Sequence, residues 1–563
     1  MLKIIRDNML TSRLTGKWIW CSSRSPSHIL SSRECQTVRE SKAAYCCPSS
    51  GSTGREEEGN GAPPTQDKIR PFHEIPGPRS LPIIGTLYHY FPVIGQYTFS
   101  RLHHTGLLKL KQFGPIVRER LVGDVTLLLL FDPRDIETMY STEGRYPMRR
   151  SHTALEKYRL DRPHMYNTGG LLPTNGQKWW DIRRRAQKVL SRVQSVLTRL
   201  PHINKVTRDF NDLIDSVRCP QTGLISNFLD LERRLFLELT MVATVDVRLG
   251  CINRSSLNIV NKDAEDLLHA AHASNSCIIH TDNGLQLWRY FNTPLYKQLV
   301  RGQDTIYRLA LKYVEAKEEE LRKRVDRRER GGDEENDRPL SVLEYFILES
   351  GLDKKDILGV VCDTLLAGID TGAFTMSYVL HNLATNPDKQ ELLAAEARTL
   401  LARSGGEVTS RVLSEARYLK AVLKETYRLR PVSIGVGRII QEDVVIRGYR
   451  IPKDTVVVTQ NQVSCRLSQY FPDPDKFLPE RWLKKENINP FLVLPFGHGP
   501  RACIGRRMAE QNLYTAVLQL VGRYNIGWLG RELDCYSNLI NEPDASLEFT
   551  FLPRAAAGGV QYS

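Results

Sequence analysis

The ten residues Phe496-Gly-His-Gly-Pro-Arg-Ala-Cys-Ile-Gly505 hold one cysteine among three glycines, two positions after an arginine. Glycine lets a backbone turn through conformations closed to other residues and approach a flat object closely. A helical pattern follows at about 505–524, which puts Cys503 at a helix start. Free N–H groups and the helix dipole stabilise a thiolate there. Arg501 adds a fork-shaped cation able to hold a carboxylate. A thiolate held this way is a soft, electron-rich ligand for a metal such as haem iron. The same loop also fits a glycine-rich turn around a buried structural thiol, and alone it does not decide.

Three more clusters could do chemistry. Ala367-Gly-Ile-Asp-Thr-Gly372 sets an acid, Asp370, and a hydroxyl, Thr371, beside small residues in mid-helix. The hydroxyl can bond back to the carbonyl four residues earlier and open the helix for a small ligand and water. Buried without partners, such an acid is costly, so a polar defect satisfied by neighbours is the plainer reading. Glu425 and Arg428 stand three apart on a helix, the spacing of an ordinary surface ion pair. Arg481, in the Pro- and Asp-rich stretch Phe471–Trp482, could join them.

The elements that must position these groups follow from periodicity. Residues 176–200 read as a helix with Trp179, Trp180 and many arginines, and 225–325 as mostly helical. Asp353 and Asp356 cap a long apolar helix running to about Ala384 and ending before Pro387. Helices are expected at about 388–403 and 412–429, short strands over 432–460 with a turn at Arg447-Gly448-Tyr449, and a Pro/Asp-rich loop at 470–490. The fold class predicted is mainly α with small β-sheets.

Order and spacing together resemble the cytochrome P450 family of haem-thiolate monooxygenases over about residues 71–555. The cysteine loop fits F-x-x-G-x-R-x-C-x-G at Phe496, Gly499, Arg501, Cys503 and Gly505. Residues 367–371 fit the oxygen-activating helix, Glu425, Arg428 and Arg481 the structural triad, and Trp179 with Arg183 the W-x-x-x-R helix. Gly372 departs from the family pattern, where a second Thr or Ser is common, and is expected to loosen that helix. The resemblance implies haem b with Cys503 as its axial thiolate, and Trp179, Arg183, Arg438 and Arg501 on the propionates. It implies Asp370 and Thr371 as proton relay to bound O2, and hydroxylation of a C–H bond. Such a thiolate favours O–O cleavage.

The chain has 563 residues, 78 Lys plus Arg against 64 Asp plus Glu, and 11 scattered cysteines without a C-x-x-C pair. A disulfide framework is not suggested, and a reducing compartment is. The first 50 residues carry eight basic and three acidic side chains, many serines, and nothing near the roughly 20 apolar residues of a membrane span. Residues 1–63 are therefore expected to be a mitochondrial presequence and linker, with the folded part at 64–563. Lys420, Lys424, Arg506 and Arg507 would gather on one face and attract an acidic carrier, although a plain solvated basic face fits the charges equally. Front end and basic face account for the net charge, so nucleic acid is not a predicted partner.

The resemblance places Lys420 and Lys424 as docking lysines of the mitochondrial class, fed by a ferredoxin and its reductase and touching the inner membrane peripherally from the matrix. Finer likeness lies in Glu74-Ile-Pro-Gly-Pro-Arg79, Gly114-Pro-Ile-Val-Arg-Glu119, Phe496-Gly-His-Gly499 and Met508-Ala-Glu-Gln-Asn-Leu-Tyr514. These resemble the arthropod ecdysteroid 22-hydroxylases. The implied reaction is C-22 hydroxylation of a 2,22-dideoxyecdysone-type ketotriol steroid. Hydroxylation at another ecdysteroid position, a xenobiotic monooxygenase of the same class and a non-catalytic haem sensor are the alternatives.

Overall fold

The computed structural model describes residues 69–554 except 123–124, 253–260, 330–338 and 485–486. The predicted presequence at 1–63 lies outside the described residues. The 31-residue helix Lys354–Ala384 is the spine. The Asp353 side chain accepts the Asp356 N–H and so starts it. Pro387 opens the next helix, Pro387–Ala402, as its fixed φ favours. Around the spine pack helices Phe228–Val245, Lys262–Asn283, Pro294–Glu329 and Arg417–Leu429. Lys354–Ala384 is apolar and long enough to cross a membrane, but its most apolar window is 78% buried inside the protein. It is a core helix.

Gly372 has a packing reason rather than a loosening effect. A side chain there would put its Cβ 2.2 Å from the Phe236 ring of the neighbouring helix Phe228–Val245. At Gly368 the Cβ would meet Thr240 at 2.7 Å. These glycines admit a neighbouring helix, and Lys354–Ala384 is helical without a break. Gly372→Thr is expected to cost about 1–3 kcal/mol by overpacking, read as a lower Tm. An unchanged Tm would remove this account.

The main sheet has four strands in the order Ile116–Arg120, Thr126–Leu130, Val456–Thr459, Gly437–Ile439. Its last pairing sets Arg438 opposite Val457, which pins Arg438 in register. Strands Val444–Ile446 and Tyr449–Ile451 form the expected hairpin. Arg447 and Gly448 both have positive φ at its turn, 52° and 73°, as two-residue hairpin loops require.

Two predicted helices are broken. The 176–200 segment becomes Gly176–Leu190 and Val193–Leu197, with Arg192 extended and Ser191 donating to the Ile504 carbonyl at 3.3 Å. The 412–429 segment becomes Ser410–Glu415 and Arg417–Leu429. Glu396, from the neighbouring helix, accepts the N–H groups of Tyr418 and Leu419 at 2.8 and 2.9 Å. A carboxylate there satisfies a new helix start.

Candidate active site

In the cysteine loop, Gly497 and Gly499 take φ of 69° and 73°, the left-handed region that glycine enters without strain. The loop folds back on itself through Cys503 N–H to Phe496 carbonyl, 2.8 Å, and Ala502 N–H to Gly499 carbonyl, 3.0 Å. Gly505 has an ordinary φ of −87° and caps helix Arg506–Arg523. A Cβ at Gly505 would meet nothing within 4 Å. Its use is space, not a turn, which refines the expectation that all three glycines bend the chain.

Cys503 is accessible, yet burial raises its thiol pKa, against the pull of the Gly505 N–H, Arg183, Arg506 and Arg149. That combination describes a thiol lining a cleft inside the protein. The thiolate form has an N–H and three cations ready to support it.

Four guanidiniums converge beside this thiol. Arg501 lies 4.5 Å above the buried Trp179 ring and donates to Asn175 Oδ1 at 2.7 Å and to the Thr174 carbonyl. Its Nε is buried without a partner. Arg183 donates to the Ala502 carbonyl at 2.8 Å. Arg438 donates to the His498 carbonyl at 3.0 Å and pairs with Glu143. Arg149 reaches the Leu172 carbonyl at 2.6 Å. Among the described residues, Arg149, Arg183 and Arg501 have no carboxylate ion-pair partner. Burial, reinforced by Arg149, Arg438 and Arg183, depresses Arg501 to about 8. Burial brings Arg149 and Arg183 to about 10. Such a cluster calls for an anion. Two carboxylates beside a thiolate-held metal match it, so the residues present fit a haem. Sequence reasoning missed Arg149 and Glu143, because neither belongs to a recognisable spacing.

On the spine, Ala367 is exposed and Thr371 half-exposed within an otherwise buried run. That side of the helix faces open space. The Thr371 hydroxyl donates to the Ala367 carbonyl at 2.7 Å, the expected back-bond. Asp370 is buried and held on both oxygens: Arg233 Nε lies 3.2 Å from Oδ1 as an ion pair, and Asn275 Nδ2 donates a hydrogen bond to Oδ2 at 3.1 Å.

The Glu425 pair is no surface pair. Glu425 and Arg428 have no exposed side-chain area. Arg428 grips both Glu425 oxygens at 2.9 and 2.8 Å, Arg481 Nε joins at 3.0 Å, and Trp482 Nε1 donates at 2.9 Å. The remaining guanidinium protons take the carbonyls of Cys465, Pro474 and Lys476 and of Pro472 and Asp473. This knot ties helix Arg417–Leu429 to the 472–482 loop.

Of the basic face, Lys424 and Arg507 are exposed. Lys420 donates to the Ser414 carbonyl at 2.9 Å, and Arg506 pairs with Glu510 at 3.0 Å. Lys420 also feels the Glu510 charge, so helices Arg417–Leu429 and Arg506–Arg523 share this surface. A second cysteine, Cys535, lies with His103 and Asp534, their ligand atoms within 4.8 Å. There Arg101 already pairs with Asp534 at 2.8 Å and Arg430 stands at 3.6 Å. The Cys535 thiol, pushed up to about 12 by burial, is a structural contact of strand Cys535–Ser537.

This fold and this cleft define a class. Residues 75–538 match cytochrome P450, and the chain belongs to the cytochrome P450 family. Among curated proteins it is similar to cytochrome P450 302a1, mitochondrial, of Drosophila melanogaster, 41% identical over 484 residues, 84% of this chain and 94% of that protein. It is 32% identical over 453 residues to the probable cytochrome P450 12a5, mitochondrial, of the same fly, covering 77% and 82%. Similarity to the fly's ecdysone 20-monooxygenase is 28% over 473 residues, covering 82% and 85%. The protein is a monooxygenase that uses haem with a cysteine thiolate as axial ligand.

Proposed function

We propose that Cys503 is that axial ligand and that the protein hydroxylates an ecdysteroid precursor, at C-22 of a 2,22-dideoxyecdysone-type ketotriol, with electrons from a mitochondrial ferredoxin and its reductase. The observation that carries the haem placement is the convergence of Arg149, Arg183, Arg438 and Arg501 beside an accessible thiol. Arg183, Arg438 and Arg501, with Trp179 beneath Arg501 and Arg149 behind, would hold the propionates. Phe496, Gly499 and Gly505 shape the loop and would let it approach the haem closely. When bound, the haem supplies activation of O2 for insertion into a C–H bond. Thr371, on the open side of the spine, positions a hydroxyl there, and Asp370 holds and delivers protons behind it. Glu425, Arg428 and Arg481 keep the loop's support rigid.

The steroid reading rests on the four sequence segments quoted for it and on similarity to P450 302a1 and ecdysone 20-monooxygenase across most of the chain. Relatives bearing the name mitochondrial and the basic, serine-rich residues 1–63 support a mitochondrial address, with 64–563 as the haem domain. Lys424 and Arg507, supported by Lys420 and Arg506, form the docking face for an acidic ferredoxin. Exposed Ile83, Val93, Ile94, Tyr290 and Phe291 suit peripheral contact with the inner membrane on the matrix side.

Product analysis tests this reading. Protein lacking residues 1–63 receives the ketotriol, O2 and either a ferredoxin couple or a microsomal flavin reductase. A C-22 alcohol formed with the ferredoxin couple alone is expected. Lys420→Gln with Lys424→Gln should raise the ferredoxin KM with haem content unchanged. No product from either donor, despite a thiolate-type haem spectrum, would overturn the steroid assignment. Broad, weak turnover of unrelated apolar compounds would point to the xenobiotic reading instead.

A further inference from the structure

Asp370 is sealed: its side chain is 3% exposed, while that of His272, its neighbour on helix Lys262–Asn283, is 44% exposed. An acid that delivers protons repeatedly must be refilled from solvent, and Arg233 and Asn275 already occupy its oxygens. His272 Nδ1 lies 3.9 Å from Asp370 Oδ2. Arg233 reaches both groups: its Nε stands 3.2 Å from Asp370 Oδ1 as an ion pair without hydrogen-bond geometry, and a terminal nitrogen donates to His272 Nδ1 at 3.0 Å.

We propose that His272 is the proton intake for Asp370 and that Arg233 gates it. This rests on the acid role proposed above for Asp370. With Nδ1 accepting from Arg233, His272 is the neutral tautomer that carries its proton on Nε2. When the Arg233 side chain swings off, Nδ1 takes a proton from a hydronium ion of the solvent, leaving water, and the imidazolium closes the 3.9 Å gap to pass it to Asp370 Oδ2. His272 returns to its neutral form and Asp370 becomes a carboxylic acid, so one proton has moved from solvent to the acid. Arg233 then returns to its ion pair with Asp370 and its hydrogen bond to His272 once Asp370 has given that proton up. Arg233 can serve as a gate because its side chain is partly exposed and its guanidinium stands 5.4 Å from the Phe374 ring, a soft contact rather than a buried knot like Arg428.

Among the described residues, few charged and titratable groups face this path. Arg233 comes from helix Phe228–Val245, His269 and His272 from Lys262–Asn283, and Glu542 from strand Asn541–Pro543. Burial, Arg233 and His269 hold His272 below its ordinary pKa, against the pull of Asp370. It is therefore unprotonated at rest, with its one open lone pair taken by Arg233 until that side chain moves. Burial and the Asp370 charge raise Glu542 to about 7, with Arg233 acting against them. Asn275 carries no titrating proton and fixes the Asp370 rotamer.

The test uses the holoenzyme with its ferredoxin couple, and reads NADPH consumption, peroxide release and the solvent deuterium isotope effect from acid to alkaline pH. These readouts do not require the steroid assignment. His272→Gln keeps an acceptor for Arg233 but cannot titrate. It is expected to slow oxygen-dependent NADPH consumption about tenfold, below the roughly 10²–10⁴ that a general acid itself supplies. It should also enlarge the isotope effect, raise the share of peroxide and flatten the pH profile, with Tm and haem spectrum unchanged. Asp370→Asn should enlarge the isotope effect further. If Asp370→Asn does so and His272→Gln matches wild type in isotope effect and pH profile, the intake proposal is overturned and the acid role stands. If Asp370→Asn also matches wild type, the acid role itself fails and the intake with it.

Discussion

Glu425→Ala is expected to yield little folded protein and almost no bound haem. Removing the carboxylate strands Arg428, with no exposed area, and Arg481, at 8%, among carbonyls alone. Breaking one partner of a buried pair costs about 3–5 kcal/mol, a large part of a typical folding stability of about 5–15 kcal/mol. Trp482 Nε1 and the Leu478 N–H lose their acceptor as well. The loss should spread to the 472–482 loop before it reaches the spine. Glu425→Gln keeps the shape and removes the charge, so it should fall between. Tm and haem content near wild type in both variants would mean that the knot does not hold this region.

Cys503→Ser should do the reverse. The loop's backbone bonds, from Cys503 N–H to Phe496 carbonyl and from Ala502 N–H to Gly499 carbonyl, do not involve the sulfur. Helix Arg506–Arg523 keeps its start at Gly505. Stability should change little while monooxygenase turnover falls to background, because a serine oxygen is not the soft, electron-releasing ligand that O–O cleavage uses. Stable protein without turnover separates a ligand from a structural thiol, the two readings the loop alone leaves open. Cys503→Ser that retained full turnover would assign the ligand elsewhere.

The contrast between these variants tracks what a sequence can carry. The cysteine loop and the spine were legible because their chemistry is local: glycine at positive φ, a cap at Asp353, a back-bonding Thr371. The Glu425 pair was visible as a spacing, but its burial was not, since an i, i+3 pair looks the same on a surface. Gly372 was misread as loosening because its reason, the Phe236 ring, sits 136 positions away. Helix 412–429 was expected whole because Glu396, which caps its second half, lies on another helix. Arg149 and Glu143 belong to no motif and join the cation cluster only through the fold. Arg233, His272 and Asn275 reach Asp370 only because three helices pack together.

The ferrous carbon monoxide spectrum tests the central claim most directly, recorded for wild type, Cys503→Ser and Cys535→Ser. The red-shifted Soret band of a thiolate-ligated complex is predicted for wild type and Cys535→Ser, and its loss for Cys503→Ser. Survival of the band in Cys503→Ser, or its loss in a folded Cys535→Ser, would contradict the placement of the haem against the 496–505 loop.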